Sequence, residues 1–161
     1  RNTISQRMEG PRCSASVTLD LRHMVDGDRC GLAAFNGHSG LLTIVRDGKS
    51  YKLVQSNTLV HLTDREKAIT GVDEDVVEQV DLKRCKKIQL RIDGDFTPGK
   101  DIATFYYKIG KGEWTPIGEP FKMQFDYRRL FMGTRYAIFN YATKQAGGYV
   151  DVDSFDYSRE E

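Results

Sequence analysis

Trp114 lies in the loop-like stretch GKGEWTP at residues 110–116, and Asn36 and His38 lie in the turn NGHSG at residues 36–40. Together they offer the chemistry of sugar recognition. A pyranose ring presents an apolar C–H face and a hydroxylated edge, so a site for it pairs a flat aromatic with amide, imidazole or guanidinium partners. Tyr106, Tyr127, Tyr136, Tyr141 and Tyr149 are further platform candidates, and Arg135, Asn140 and Gln145 further hydrogen-bonding ones. Trp114, Asn36, His38, Arg135, Asn140 and Tyr141 form the candidate carbohydrate-binding set. An ordinary surface aromatic or turn residue would look the same in sequence. Alternation also places Tyr136, Ile138 and Asn140 on one strand face and Ala137, Phe139 and Tyr141 on the other, so one of these groups packs inward.

Paired aspartates suggest a second chemistry. Calcium takes six to eight oxygens, which carboxylates and turn carbonyls supply. Asp26 with Asp28, Asp93 with Asp95, and Asp151 with Asp153 are the possible pairs, and Asp151 with Asp153 is the metal candidate, for a structural calcium. Asx turns account equally for the first two pairs, and carboxylates on a strand face account for the third. His23, His38 and His61 show no zinc-ligand spacing. Cys13, Cys30 and Cys85 are odd in number and widely spaced, which fits neither a disulfide framework nor a metal knuckle. Cys13 and Cys30 read as small buried hydrophobes.

The elements that must position these side chains are strands. Cys13, Ala15, Val17, Leu19 and Leu21 alternate with Ser14, Ser16, Thr18 and Asp20, the mark of a half-buried strand. Further strands are expected over residues 30–35, 41–46, 51–55, 59–63, 87–92 and 102–109, with Asp26-Gly27, Asp47-Gly48, Asp93-Gly94 and Pro98-Gly99 as turn punctuation. Residues 131–157 read as a hairpin, two strands around a turn at Gly147 and Gly148. Residues 64–80 lack clean alternation and read as a loop with a short helical turn. The pattern predicts an all-β chain, a two-sheet antiparallel β-sandwich occupying residues 1–161 as one domain.

Composition narrows the function classes. With 39% hydrophobic and 29% charged residues, the chain can bury its own core. Its formal net charge of +1 comes from 24 basic and 23 acidic side chains spread along the length, which argues against nucleic acid or an anionic membrane as partner. The apolar runs are far shorter than the roughly 20 residues needed to cross a bilayer. No leader is legible after Arg1, and the chain reads as excised from a longer one.

The segments GPRCSASVTLDL (10–21), DGDRCGLAAFNGHSGLL (26–42), FMGTRYAIFNYATK (131–144) and GGYVDVDSFDY (147–157) together resemble the C-terminal β-sandwich module of bacterial glycoside hydrolase family 43 enzymes, the β-xylosidases and α-L-arabinofuranosidases of plant cell wall breakdown. The resemblance implies a concanavalin-like jelly roll, with its first strands upstream of this chain. It implies a catalytic five-bladed propeller as partner, and xylan or arabinoxylan as ligand. It points to the periplasm, the cell surface or secretion. The family's catalytic carboxylates belong to the propeller, so no acidic residue here inherits their role. Asp73, Asp75 and Glu78 separately match the spacing of the E-x-D-x-x-E signature of sandwich-fold glucanases, with Asp in the first position, where a strand bulge aims three carboxylates into one cleft. A solvated acidic face is the simpler reading of those three. Three roles follow as expectations: a carbohydrate-binding module, a structural module that packs on the propeller and shapes its pocket, and, with least support, a glucanase.

Overall fold

The computed structural model describes residues 2–9, 11–36, 38–62, 69–97, 100–122, 135–144 and 146–159, without the side chains of residues 2–4, 36, 59–62 and 69–73. Among them the regular structure is all strand: β1 (Asn2–Arg7), β2 (Arg12–Asp20), β3 (Arg29–Asn36), β4 (His38–Asp47), β5 (Ser50–Leu62), β6 (Ile69–Lys83), β7 (Lys87–Asp95), β8 (Ile102–Lys108), β9 (Thr115–Lys122), β10 (Arg135–Tyr141) and β11 (Asp151–Arg159). A six-stranded sheet runs β1-β10-β3-β4-β5-β6 and a five-stranded sheet β11-β2-β7-β8-β9, with every pairing antiparallel. The expected antiparallel β-sandwich is the observed fold.

Period-two alternation builds the core between the sheets. Ala15, Val17 and Leu19 of β2 and Ile88, Leu90 and Ile92 of β7 meet Leu32, Ala34, Leu42, Ile44, Leu53 and Tyr136 of the larger sheet in one buried cluster. Burying each large aliphatic side chain is worth about 1.5–3 kcal/mol. Cys13 and Cys30 belong to this cluster, as their contexts predict, and all three cysteines are unbridged. Burial pushes both buried thiols up, away from the reactive thiolate.

Both ends of the sandwich are latched by polar contacts. At one end the Gly118 N–H of β9 donates to Glu78 Oε1 of β6 at 3.1 Å, joining the edge strands of the two sheets. Gln55 is fully buried beside this latch and donates through Nε2 to the Ser56 carbonyl and to Asn57 Oδ1, each at 3.1 Å. Gly118 has a φ of +72°, and a Cβ there would collide with Gln55, so only glycine fits. At the opposite end the Glu9 N–H donates to the Tyr157 hydroxyl at 3.0 Å, and Arg159 of β11 pairs with the Glu9 carboxylate.

Five points of the sequence reading need correction. Residues 131–157 do not form a hairpin. β10 lies between β1 and β3 in one sheet and β11 pairs with β2 in the other, so the segment around Gly147 crosses between sheets. Residues 69–83 are a strand rather than a loop with a helical turn; residues 64–68 lie outside the described set. β6 conceals its alternation because it is an exposed edge with register breaks against β5, and its charges blunt that edge. The expected strands 51–55 and 59–63 are parts of one continuous β5. β9, with Pro116 and Pro120, went unread because proline signals a break, yet an edge strand tolerates it. Asp93-Gly94 is also no turn: β7 continues through Gly94, whose missing side chain leaves room for Met8.

Asp20, buried at the end of β2, accepts from Arg22 Nε at 2.9 Å, from its Nη2 at 2.5 Å and from its backbone N–H at 3.1 Å. These bonds to Arg22 hold the carboxyl well below the usual carboxylate range. A carboxyl depressed in the fold stabilises fully above the unfolded value, near pH 3.9, and loses that contribution progressively as pH falls from there through the depressed folded value. The thermal midpoint is therefore expected to drop between about pH 5 and pH 2. Asp20→Asn should show a lower midpoint at pH 7 and a shallower decline over that window; identical slopes would contradict the assignment. For the latch, Gly118→Ala should cost about 2–3 kcal/mol in urea unfolding. Gly48→Ala, at φ +63° with nothing within 4 Å, should cost only about 1 kcal/mol, and equal losses would show that Gln55 does not crowd this position.

Candidate functional site

The outward residues of β7 are Gln89, Arg91, Asp93 and Asp95, opposite in phase to its core residues Ile88, Leu90 and Ile92. Register sets Arg91 beside Ser16 and Tyr106, and Asp93 beside Ser14 and Thr104. This outer surface of the five-stranded sheet holds a groove of about 940 Å³ whose walls include Arg12, Ser14, Arg91, Asp93, Lys100 and Thr104. Charges are organised along it. Arg91 Nε lies 3.1 Å from Asp93 Oδ1, which also accepts from the Ser14 hydroxyl at 2.6 Å. Asp95 Oδ2 lies 3.7 Å from Arg12 and 3.6 Å from Lys100. Its Oδ1 accepts from the Thr97 hydroxyl at 2.5 Å and the Thr97 N–H at 3.0 Å. Those Thr97 bonds are the main reason that the Asp95 carboxyl stays below its ordinary range and remains ionised.

Aromatic surface adjoins the groove at Arg91. The Arg91 guanidinium carbon lies 4.1 Å from the Tyr106 ring centroid and 4.8 Å from that of Trp114, and Lys108 Nζ lies 5.3 Å from Trp114. Cations over ring faces are held by the ring quadrupole, each contact worth about 0.5–1 kcal/mol at an exposed site. Trp114 immediately precedes β9 and Tyr106 sits in β8, so β-pairing fixes their spacing. Arg91 was not a sequence candidate. Its outward phase in β7 was legible, but its position between two rings depends on the pairing of β7, β8 and β9, which no local pattern reports.

The remaining candidates do not converge with Trp114. Asn36 and His38 are register partners at the β3–β4 tip, in the six-stranded sheet; the Asn36 side chain is outside the described set. Arg135 pairs with Phe35 near that tip and donates to Ser5 Oγ at 3.4 Å. Asn140 and Tyr141 stand at the other end of β10, opposite Cys30 and Arg29, about 20 Å from Arg135 at strand rise. Tyr136 is fully buried, with its hydroxyl 3.4 Å from Cys13 Sγ. Tyr149 is half-exposed and stacks on His23 at 4.5 Å. Tyr127 and Gln145 lie outside the described residues.

The aspartate pairs are engaged as follows. Asp26 accepts from the Gly48 N–H at 2.8 Å and faces Lys144 at 3.1 Å, while Asp28 accepts from the Val25 N–H at 2.9 Å. Asp95 closes an Asx turn with Thr97. Asp153 faces Lys87 Nζ at 2.8 Å, and Asp151 lies 4.0 Å from His23 Nε2. Among the described residues no three carboxylate, imidazole or thiol groups gather as metal ligands. Glu78 is committed to Gly118, Asp75 is exposed, and the Asp73 side chain is outside the described set.

The outer surface of the six-stranded sheet has a different character. Ala33 and Ala137 are register partners only 6% and 5% exposed although they face away from the core, and Phe139 leans over Gly31. Phe139 and Tyr141 stack at 6.2 Å. A shallow pocket of about 290 Å³ on the same sheet is lined by Thr43, Val45, Val54 and Val76 together with Arg29, Glu74 and Gln79.

Known proteins share this arrangement of sheets. A glycoside hydrolase of family 43, engineered to display both endo-xylanase and exo-arabinofuranosidase activity, is 31% identical over 98% of this chain, with a TM-score of 0.85. A bifunctional GH43-CE protein of Bacteroides eggerthii is 34% identical over the whole of this chain, with a TM-score of 0.81. A xylan β-1,4-xylosidase from Bacillus halodurans C-125, 16% identical over 96% of this chain with a TM-score of 0.68, shares the fold. The chain spans 31%, 19% and 29% of the lengths of those three proteins. No curated protein matches it. The family model described as the Beta xylosidase C-terminal Concanavalin A-like domain matches residues 1–158, and the chain therefore belongs to this family of glycoside hydrolase family 43 accessory domains.

Proposed function

We propose that this chain is the non-catalytic module of a plant cell wall polysaccharide-degrading hydrolase of β-xylosidase or α-L-arabinofuranosidase type, and that it holds xylan or arabinoxylan along the outer groove of the five-stranded sheet. The observation that carries this reading is Arg91, which lines the groove and also lies against Tyr106 and Trp114. The Tyr106 and Trp114 rings, with the Arg91 guanidinium against them, offer apolar surface for the C–H face of a pentose ring. Ser14, Asp93 and Thr104 supply donors and acceptors for its hydroxyl edge. The family match supports an accessory role.

A second role uses the other sheet. The apolar outer surface around Ala33, Ala137 and Phe139 suits close packing against the catalytic propeller of the parent enzyme, where the module would help shape the substrate pocket. The two roles are compatible because they occupy opposite outer faces. Hydrolysis by Asp73, Asp75 and Glu78 has less support, since Glu78 already accepts the bond that joins β6 to β9.

Affinity electrophoresis of the 161-residue chain through gels containing xylan tests the binding reading. Migration should be retarded, and Trp114→Ala should relieve most of the retardation, corresponding to a loss of about 1–2 kcal/mol. Migration unaltered by the polymer would overturn it. Hydrolysis should also be absent from Glu78→Gln and wild type alike; release of reducing sugar by the wild-type chain alone, abolished in the variant, would restore the glucanase reading.

A further inference from the structure

Charges inside the groove are paired with one another, which suits an uncharged ligand. Arg91 faces Asp93, Arg12 and Lys100 face Asp95, and Arg159 pairs with Glu9. Shape then decides which part of an uncharged polymer fits. Register aligns Ser158 of β11, Ser14 of β2, Asp93 of β7 and Thr104 of β8 as successive neighbours in one row across the sheet. β9 adds Pro120, in the stretch where its register against β8 breaks between Ala103 and Phe105. All five side chains are short, and they make the floor of the groove. Longer side chains rise as walls two residues along the strands in either direction, about 7 Å away. Arg91, lying against Tyr106 and Trp114, stands on one side, with Arg12 and Asp95 on the other.

The groove therefore runs across the strands rather than along them. β9 and β11 are the two edges of this sheet, so among the described residues no further strand of it closes either end. Five strands spaced by about 4.8 Å make a floor about 19 Å long, and one ring of a β-1,4-linked pentosan advances its chain by about one such spacing. The volume of about 940 Å³ is near the upper end for drug-sized ligands and far exceeds one pentose. A site for a chain end needs a wall against the terminal ring. A floor open at both edges, with one side chain offered by each strand, matches a repeating chain that passes through. We infer that the groove holds an internal run of about four backbone rings of a neutral pentosan laid across the strands from β9 to β11. One ring rests against Tyr106 and Trp114, and the others follow the row of Thr104, Asp93, Ser14 and Ser158. This inference rests on the carbohydrate-binding reading above and specifies the part of the polymer that is bound.

Isothermal titration of the 161-residue chain with xylobiose, xylotetraose, xylohexaose and soluble xylan separates the possibilities. Affinity should rise about tenfold or more from xylobiose to xylotetraose, and by less than about twofold from there to xylohexaose. Soluble xylan should take up many copies of the module per polymer chain. Ser158→Trp, at the β11 end of the floor and away from the Tyr106 and Trp114 rings, should weaken xylohexaose binding about fivefold, with an unchanged thermal midpoint as the check on folding. Xylobiose binding as tight as that of xylohexaose, or saturation at one copy per polymer chain, would overturn the inference in favour of a chain-end site while leaving sugar binding intact. Undiminished xylohexaose affinity in the folded variant would overturn the placement of the chain across the sheet to β11. Absence of binding to all four ligands would overturn this inference and the carbohydrate-binding reading together.

Discussion

Burial of one face of each sheet against the other is the constraint on which everything else in this domain depends. Leu90 and Ile92 can be dry only if Arg91 and Asp93 are wet, because successive side chains of a strand point to opposite faces. The same two-residue period that closes the core therefore displays a row of charges on the outside of β7. Pairing with β2 and β8 extends that row across the sheet, so Ser14, Arg91 and Tyr106 reach fixed positions without any loop to hold them. A surface built on paired strands loses little conformational freedom when a ligand binds it.

The two outer faces differ although the same core supports both. On the five-stranded sheet the charged and aromatic Arg91, Asp93 and Tyr106 stand beside the small hydroxyls of Ser14, Ser16 and Thr104 and leave a groove. On the six-stranded sheet the outward residues are small and apolar near the centre, with Ala33 opposite Ala137 and Phe139 over Gly31. That division is the basis of the proposal that ligand binds on one side and protein packs on the other. The edges are managed separately: β6 and β9 are tied through Glu78 and Gly118, and the Glu9 segment after β1 is tied to β11 through Tyr157 and Arg159. Polar contacts at those positions close the sandwich where the apolar core thins out.

How much of this was legible in sequence follows from where each strand lies. β2 and β7 read clearly because one face of each is buried along its length, which imposes alternation. β6 and β9 are edges: one carries charges and register breaks, the other two prolines, and both patterns imitate loops. The expected hairpin at residues 131–157 failed because strand signals report pairing competence and not the partner; β10 and β11 lie in different sheets. Family membership was legible in those same segments. Of the candidate site, Trp114 was found from its type and its setting, whereas Arg91 is an ordinary surface cation in a linear reading. Its place beside the rings comes from cross-strand neighbours about 5 Å apart in space and distant in sequence.

The central claim, that the outer face of the five-stranded sheet is the ligand-binding surface, is tested most directly by amide and indole chemical-shift mapping of the isotope-labelled chain during titration with a xylo-oligosaccharide. Saturable shifts should cluster at Arg91, Asp93, Thr104, Tyr106 and the Trp114 indole N–H, with Ala33, Ala137 and Phe139 unmoved. Shifts confined to the six-stranded sheet, or none at saturating sugar, would contradict the account.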